Sequence, residues 1–369
     1  MESLKNQKLE GKKVLVRVDF NVPLGEKGEI LDDSRIKTAL PTIKYLLKQK
    51  AKVILLSHLG RPDGKIVENL RLSKVAKRLK QLLNLKNKIT KINLDSFFAY
   101  SISPNLVLLE NIRFFKEEEK NDLKFAKKLA SLADIFVNEA FSCSHREHAS
   151  TFGITNFLPS FSGFALEKEV KTLSLLFESP KRPFVCILGG AKVSDKIKII
   201  ENLSKKVDWF LLGGAMANTF LKALGLDLKG SLVAFDKIDL AQRYLAQFGQ
   251  KIILPSDLVF GDLDGKRAVL DIGKRDVEKF SQYINKAKTI FWNGNLGMTE
   301  ELEYTQGSKM VAGKIIQNKN CLSIVAGGDT VGFLNQQGLL SQFSFVSMGG
   351  EAALAFLAGE KLKALLVLK

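Results

Sequence analysis

The sequence predicts an α/β protein made of two parallel-sheet units with helices on both faces of each sheet. Three observations carry that expectation. Short apolar runs suited to buried strands alternate with segments whose apolar residues recur at helical spacing. The alternation restarts after a long helical stretch from Gly163 to Phe177, ended by Glu178-Ser179-Pro180, which can join two domains. At 369 residues the chain is long for one domain and sufficient for two separate cores.

The first strand is expected at Lys13–Asp19 and runs into Phe20-Asn21-Val22-Pro23-Leu24. Asp32-Asp33-Ser34 is expected to cap a helix with Ile36, Leu40, Ile43 and Leu47 on its buried stripe, which puts Arg35 beside the first loop. A second strand, Val53–Leu56, leads into Ser57-His58-Leu59-Gly60-Arg61-Pro62, and a helix follows near Leu72–Leu83. The strand Leu106–Leu109 ends in Glu110-Asn111-Ile112-Arg113-Phe114. A helix near Leu123–Leu132 and a strand Ile135–Asn138 lead into Ser144-His145-Arg146-Glu147-His148. In the second half, strands are expected at Phe184–Leu188, Trp209–Leu212, Ile252–Leu254, Thr289–Trp292, Leu322–Val325 and Phe345–Val346.

Composition narrows the function classes. An apolar fraction of 46% with 26% charged residues is ordinary for a globular protein. No apolar run reaches membrane-spanning length, and the first eight residues lack a signal-peptide core. Three cysteines, Cys143, Cys186 and Cys321, are too few and too scattered for a disulfide framework or a zinc site, so a reducing cytoplasm is expected. The net charge of +17 is mostly lysine spread along nearly every helix; it draws anions into clefts. No C2H2 spacing or RNP-like aromatic motif accompanies it, so neither nucleic acid nor membrane is expected as an obligatory partner.

In parallel sheets ligands bind beyond the carboxyl ends of the strands. In the first half those ends collect Asp19, Asn21, His58, Arg61, Arg113 and Arg146, an anion site whose arginines match phosphate or carboxylate oxygens in pairs. Taken singly, each is equally a surface arginine or a helix cap. In the second half the ends are glycine-rich: Gly189-Gly190, Gly213-Gly214, Asn293-Gly294, Gly327-Gly328 and Gly349-Gly350, which lets backbone approach a ligand. Gly189–Lys196 reads as a strand, a glycine turn and a helix opening, with Lys192 and Lys196 sharing one helix face beside it. That is a grip for a polyphosphate, although a glycine pair before a helix is also a plain tight turn, and the Walker A spacing is absent. Asp329 follows one glycine pair and can hold Mg2+, while Thr330 can cap a helix or bind phosphate. No G-x-G-x-x-G follows the first strand, which excludes an NAD-dependent dehydrogenase.

Seven ordered segments together closely resemble the phosphoglycerate kinases: Arg17–Leu24, Ser57–Pro62, Glu110–Phe114, His145–Ser150, Gly189–Lys196, Trp292–Gly294 and Gly327–Thr330. The resemblance implies two Rossmann-like parallel-sheet domains joined by a helix, with an inter-domain cleft that closes over both substrates. It implies a phosphoglycerate-binding domain over residues 1–162, a connecting helix over 163–179 and a nucleotide-binding domain over 180–354. A tail over 355–369 would pack back on the first domain. The implied reaction moves the acyl phosphate of 1,3-bisphosphoglycerate to ADP, giving 3-phosphoglycerate and ATP, with Mg2+ on the nucleotide and a monomer as the active form. By motif, Asp19, Phe20, Asn21, Arg35, His58, Leu59, Gly60, Arg61, Arg113 and Arg146 would bind the phosphoglycerate. Gly189, Lys192, Lys196, Gly213, Asn293, Glu300, Gly327, Gly328, Asp329 and Thr330 would bind the nucleotide, Asp329 holding the metal. Arg35, Lys192 and Lys196 would be catalytic, Arg35 and Lys196 meeting at the moving phosphoryl group, and Glu300 would accept from ribose hydroxyls. His58 would bind oxygen rather than act as a base.

Four departures from the family pattern stand out. Glu351 in Met348-Gly349-Gly350-Glu351-Ala352 replaces a third glycine and either faces the phosphoryl path or points outward in a helix's first turn. Asn295 stands where a proline is usual, Glu139-Ala140-Phe141-Ser142 replaces D-A-F-G, and the tail lacks its usual proline-glycine. They leave open a binding protein with this fold and little turnover.

Overall fold

In the computed structural model, which describes residues 4–369, the chain divides into two units. One runs up to Lys171 and takes in Lys361–Lys369; the other is Thr172–Glu360. The division falls inside the helix Phe164–Glu178, and residues 355–360 of the expected tail go with the second unit.

The first unit holds β1 (Lys13–Arg17), β2 (Lys52–Leu56), β3 (Thr90–Leu94), β4 (Phe97–Ser103), β5 (Leu106–Leu109), β6 (Ile135–Asn138) and β7 (Ser160–Ser162). They form one sheet in the order β3-β4-β5-β2-β1-β6-β7. The core strands are parallel as expected, but β3 and β4 run antiparallel at one edge and were not anticipated. Alternation along β1 splits the core in two: Val14 and Val16 pack with Ile36, Ile43 and Val75, while Leu15 packs on the opposite face with Phe125 and Leu129. The helix Ser34–Lys48 buries Ile36, Ala39, Thr42, Ile43 and Leu46, with Leu40 and Leu47 only partly covered at the margin. The stripe is thus rotated from the expected one, and Thr42 is held inward by its hydrogen bonds with Glu139 and Phe164 N. Asp33 occupies the cap position, yet its carboxylate pairs with Lys37 and Arg78 instead of the helix N–H groups.

Chain direction matters for the site. From β1 the chain winds to β2 on one side and later returns to β6 on the other, so the crevice at the carboxyl end opens beside β1. Arg17 is level with Leu56 and with Asn138, so the loops leaving β1, β2 and β6 start side by side.

The second unit holds β8 (Phe184–Leu188), β9 (Trp209–Leu212), β10 (Ile252–Ile253), β11 (Leu258–Leu263), β12 (Lys266–Ile272), β13 (Thr289–Asn293), β14 (Leu322–Ala326) and β15 (Phe345–Ser347). Six of them form a fully parallel sheet, β10-β9-β8-β13-β14-β15, with the winding reversed at β8. Leu188 is level with both Leu212 and Asn293, and Asn293 with Ala326. β11 and β12 form a separate antiparallel hairpin. Its two-residue turn, Asp264-Gly265, has φ of 52° and 77°, the left-handed pair that matches strand twist. No helix among the described residues is long and apolar enough to cross a membrane.

Candidate active site

The first unit gathers basic side chains at the ends of β1, β2, β5 and β6. Asp19, just past β1, accepts from Arg35 and from the Ser142 hydroxyl, and its other oxygen accepts from Asn21 N at 3.0 Å. The Asn21 side chain accepts from Gly60 N at 2.8 Å, tying the first loop to the second. Buried Asn111 holds the second loop from below: it donates to Leu59 O at 2.7 Å and accepts from Leu59 N and Arg113 N. Arg113 itself donates to Gly60 O at 2.9 Å and pairs with Glu119. Arg146 lies next to the cluster and donates to the His145 ring at 2.9 Å.

Electrostatics confirm that these groups share one field. Burial, then Arg17, Arg113 and Arg35, hold His58 well below the usual histidine range. Burial, then Arg17, Arg113 and Arg146, push His148 down to about 3, so its 3.8 Å approach to Glu118 is not an ion pair at neutral pH. Burial also lowers Arg35 and Arg113, as expected for cations drawn out of water without a full set of counter-ions. The structure thus brings together Asp19, Asn21, Arg35, His58, Arg113 and Arg146. Phe20 and Leu59 are buried beneath the loops and Gly60 is half-buried. Arg61 is exposed on the loop after Gly60 and is not drawn into this network. Sequence reading missed Arg17, the last residue of β1 and completely buried, which donates to Ser150, Val18 O and His58.

In the second unit the expected shared helix face of Lys192 and Lys196 is not formed. The helix starts only at Ile197; Lys196 is its capping residue and Lys192 lies exposed in the preceding loop. The glycine turn is long enough to fold back before the helix begins, and Lys196 follows it inward. Lys196 is 7% exposed, and its ammonium donates to Gly189 O at 2.7 Å. Burial lowers it to about 8, opposed by Asp329 and Asp195.

The glycines also act differently from the expectation. A Cβ on Gly294 would overlap the Gly189 carbonyl, so these residues let two neighbouring loops lie backbone against backbone. Gly190 N donates to Asn295 O at 2.7 Å and Gly214 N to Leu296 O at 3.0 Å, completing that packing. Asn293 and Thr330, each 1% exposed, support it: Asn293 donates to Ala326 O and Thr330 accepts from Gly294 N at 2.8 Å. Gly213 caps the helix Gly214–Ala223 and Gly327 caps Gly328–Gln336.

Above this scaffold is a cavity of about 320 Å3. Gly190, Gly214, Asn295, Glu300 and Asp329 line it, and Leu232, Leu263, Val269, Leu270 and Met298 form an apolar wall. A small apolar chamber with a few convergent polar groups suits a nucleoside. Of the expected residues, Glu300 and Asp329 reach the cavity directly; Gly189, Gly213, Asn293 and Thr330 lie in the scaffold beneath it. The apolar wall was missed, although Asp264-Gly265 signals the hairpin that carries Leu263, Val269 and Leu270. Among the described residues no group of three or more His, Cys, Asp or Glu could hold a metal. Exposed Asp329, in the first turn of its helix, is a single carboxylate, which suits Mg2+ bound mainly through phosphate oxygens. Glu351 is exposed in the first turn of Glu351–Leu357, a position that suits an acidic side chain.

Comparison with known proteins agrees with this geometry. The family model described as phosphoglycerate kinase matches residues 4–360. A phosphoglycerate kinase of Dictyoglomus turgidum is 47% identical, covering 99% of this chain and 98% of the relative. One of Prochlorococcus marinus is 45% identical, covering 98% and 96%. The solved phosphoglycerate kinase of Coxiella burnetii superposes with a TM-score of 0.87 at 37% identity, covering 99% and 97%. That of Pyrococcus horikoshii gives 0.84 at 31%, covering 100% and 98%. A match of this extent, on a chain with an arginine-rich and a glycine-lysine site at strand ends, leaves one assignment: the chain belongs to the phosphoglycerate kinase family.

Proposed function

We propose that the chain catalyses the reversible transfer of the acyl phosphate of 1,3-bisphosphoglycerate to ADP, giving 3-phosphoglycerate and ATP. The observation that carries this is the pairing, in one chain of this family, of a guanidinium-imidazole cluster in the first unit with a nucleoside-sized cavity in the second, beside the glycine turn to which Lys196 donates. Asp19, Asn21, Arg35, His58, Arg61, Arg113 and Arg146 bind the phosphoglycerate, with Phe20, Leu59 and Gly60 shaping its loops. Lys192, Lys196 and the scaffold of Gly189, Gly213, Asn293, Gly327, Gly328 and Thr330 place the nucleotide, whose ribose Glu300 holds.

Phosphoryl transfer needs positioning and charge stabilisation more than covalent help from the protein. The attacking group is already an ionised phosphate or carboxylate, so no side chain has to remove a proton. Arg35 and Lys196 bear on the moving group, and closure about the helix over 163–179 brings the two ligand sets together and excludes water. Asp329 would help to hold Mg2+ together with the nucleotide, and the ion would supply charge neutralisation of the phosphates.

The test mixes the purified protein with MgATP and 3-phosphoglycerate and follows ADP release, with and without Mg2+. Release that requires both the acid and the metal is expected. Binding of both ligands without release would leave a nucleotide-binding protein, and binding of neither would overturn the reading.

A further inference from the structure

Beneath the phosphoglycerate site runs a chain of hydrogen bonds whose direction is fixed by chemistry. Arg17, Ser150 and Glu118 are all completely buried. A guanidinium can only donate. Arg17 Nε therefore donates to Ser150 Oγ at 2.9 Å, and Arg17 Nη2 donates to His58 Nδ1 at 3.1 Å. Since Ser150 accepts from Arg17, its single hydroxyl proton is free to go to Glu118 Oε1, 2.5 Å away, while Ser150 N donates to Oε2 at 3.0 Å. A buried guanidinium needs a countercharge, and Glu118 supplies it across the serine. At the other end, His58 Nδ1 can only accept. Its environment keeps the ring neutral, so the ring proton sits on Nε2. Nε2 makes no hydrogen bond within the described residues and is the atom left for a ligand oxygen.

We propose that Glu118 and Ser150 are positioning residues which, through Arg17, fix His58 as an Nε2–H donor toward the phosphoglycerate. The assignment rests on the proposed reading of that site. Without the serine hydroxyl, guanidinium and carboxylate close directly on each other, Nη2 leaves His58, and Nδ1 becomes free to take the proton. The donor then turns into an acceptor that faces an anionic oxygen.

The chain has only three histidines, which makes 15N-imidazole NMR of the labelled protein readable ring by ring. In the native protein His58 should show a single neutral Nε2–H form across neutral pH. In Ser150→Ala it should become a mixture of both tautomers, and KM for 3-phosphoglycerate should rise about 10-fold with kcat and nucleotide KM within about twofold. Glu118→Gln should act in the same direction; if it does not fold, Ser150→Ala carries the test alone. A mixed tautomer with unchanged KM would uphold the relay and remove His58 from substrate binding. An unchanged Nε2–H form in the folded variants overturns the relay, even if KM rises, because the effect then comes through packing.

Discussion

Replacing Glu139 by glutamine should stabilise the protein, and more so as pH rises. Glu139 follows β6, and its Oε1 accepts from Thr42 Oγ1 at 2.8 Å and from Ala165 N at 3.2 Å. Thr42 in turn accepts from Phe164 N, so the first turn of the helix Phe164–Glu178 rests on this carboxyl group. Oε2 has no hydrogen-bond partner. Burial therefore pushes the carboxyl up from 4.5 to about 8. Its folded pKa lies above the unfolded one, so the contribution to stability is full below 4.5 and is lost as pH climbs through 8. Taken only as far as pH 7, the loss is about 3 kcal/mol, reaching about 5 kcal/mol by pH 9. Glutamine keeps the Oε1 acceptor and cannot ionise, but leaves an amide nitrogen unpaired at a cost of about 1 kcal/mol. Glu139→Gln should then gain about 2 kcal/mol at pH 7, about 4 at pH 9 and nothing at pH 5. Both tryptophans, Trp209 and Trp292, lie in the second unit, so fluorescence would not report this change. Amide exchange of β1 and β6 at the three pH values would. A gain independent of pH would show that Glu139 does not titrate in this range.

Arg35→Ala should lower kcat by about 10²–10³ and KM only slightly, because the guanidinium acts where charge moves. Steady-state kinetics showing unchanged kcat with a weaker KM would remove that role. Lys196 must be protonated to hold phosphate, and its pKa of about 8 lies below the ordinary value, so kcat/KM for the nucleotide should fall as pH rises through 8. Lys196→Arg should flatten that alkaline limb while lowering the plateau; an unmoved limb assigns it to another group. Glu351→Gly should leave turnover within about twofold and reduce stability by about 1 kcal/mol, through a lost dipole interaction and a poorer helix former. A tenfold faster variant would instead place the carboxylate on the phosphoryl path.

What the sequence disclosed follows from how far apart the informative residues lie. Strands such as Leu106–Leu109 and Phe184–Leu188 were readable to the residue because each is an unbroken apolar run closed by polar or glycine punctuation. Arg35, His58, Arg113 and Arg146 were readable as a set because parallel pairing brings the carboxyl ends of β1, β2, β5 and β6 to one edge. The β3–β4 pair was missed although Ile92 and Leu94 alternate and Phe97–Ser103 is largely apolar; Thr90–Leu94 offers only those two apolar residues and is mostly exposed. The rotated stripe of Ser34–Lys48 escaped for another reason: Thr42 is buried through hydrogen bonds to Glu139 and Phe164 N, both about 100 residues or more away in sequence.

Polarity in the interior was the least legible property, and it is where the site gains its definition. Nothing local distinguishes Arg17, completely buried at the end of a strand, from an arginine that turns to solvent. Its place depends on Ser150 and Glu118, more than 100 residues away in sequence, being there to accept and balance it. The same holds for Glu139, in the loop after β6, whose neighbours Thr42 and Ala165 come from two different helices. Lys196 was expected beside a glycine turn but not as a buried residue, because its fold-back depends on how far that turn runs before Ile197 starts the helix. Each of these groups is costly to bury unless its partner is fixed first. Such partners hold these side chains in one place, and holding groups in place is what phosphoryl transfer by positioning requires.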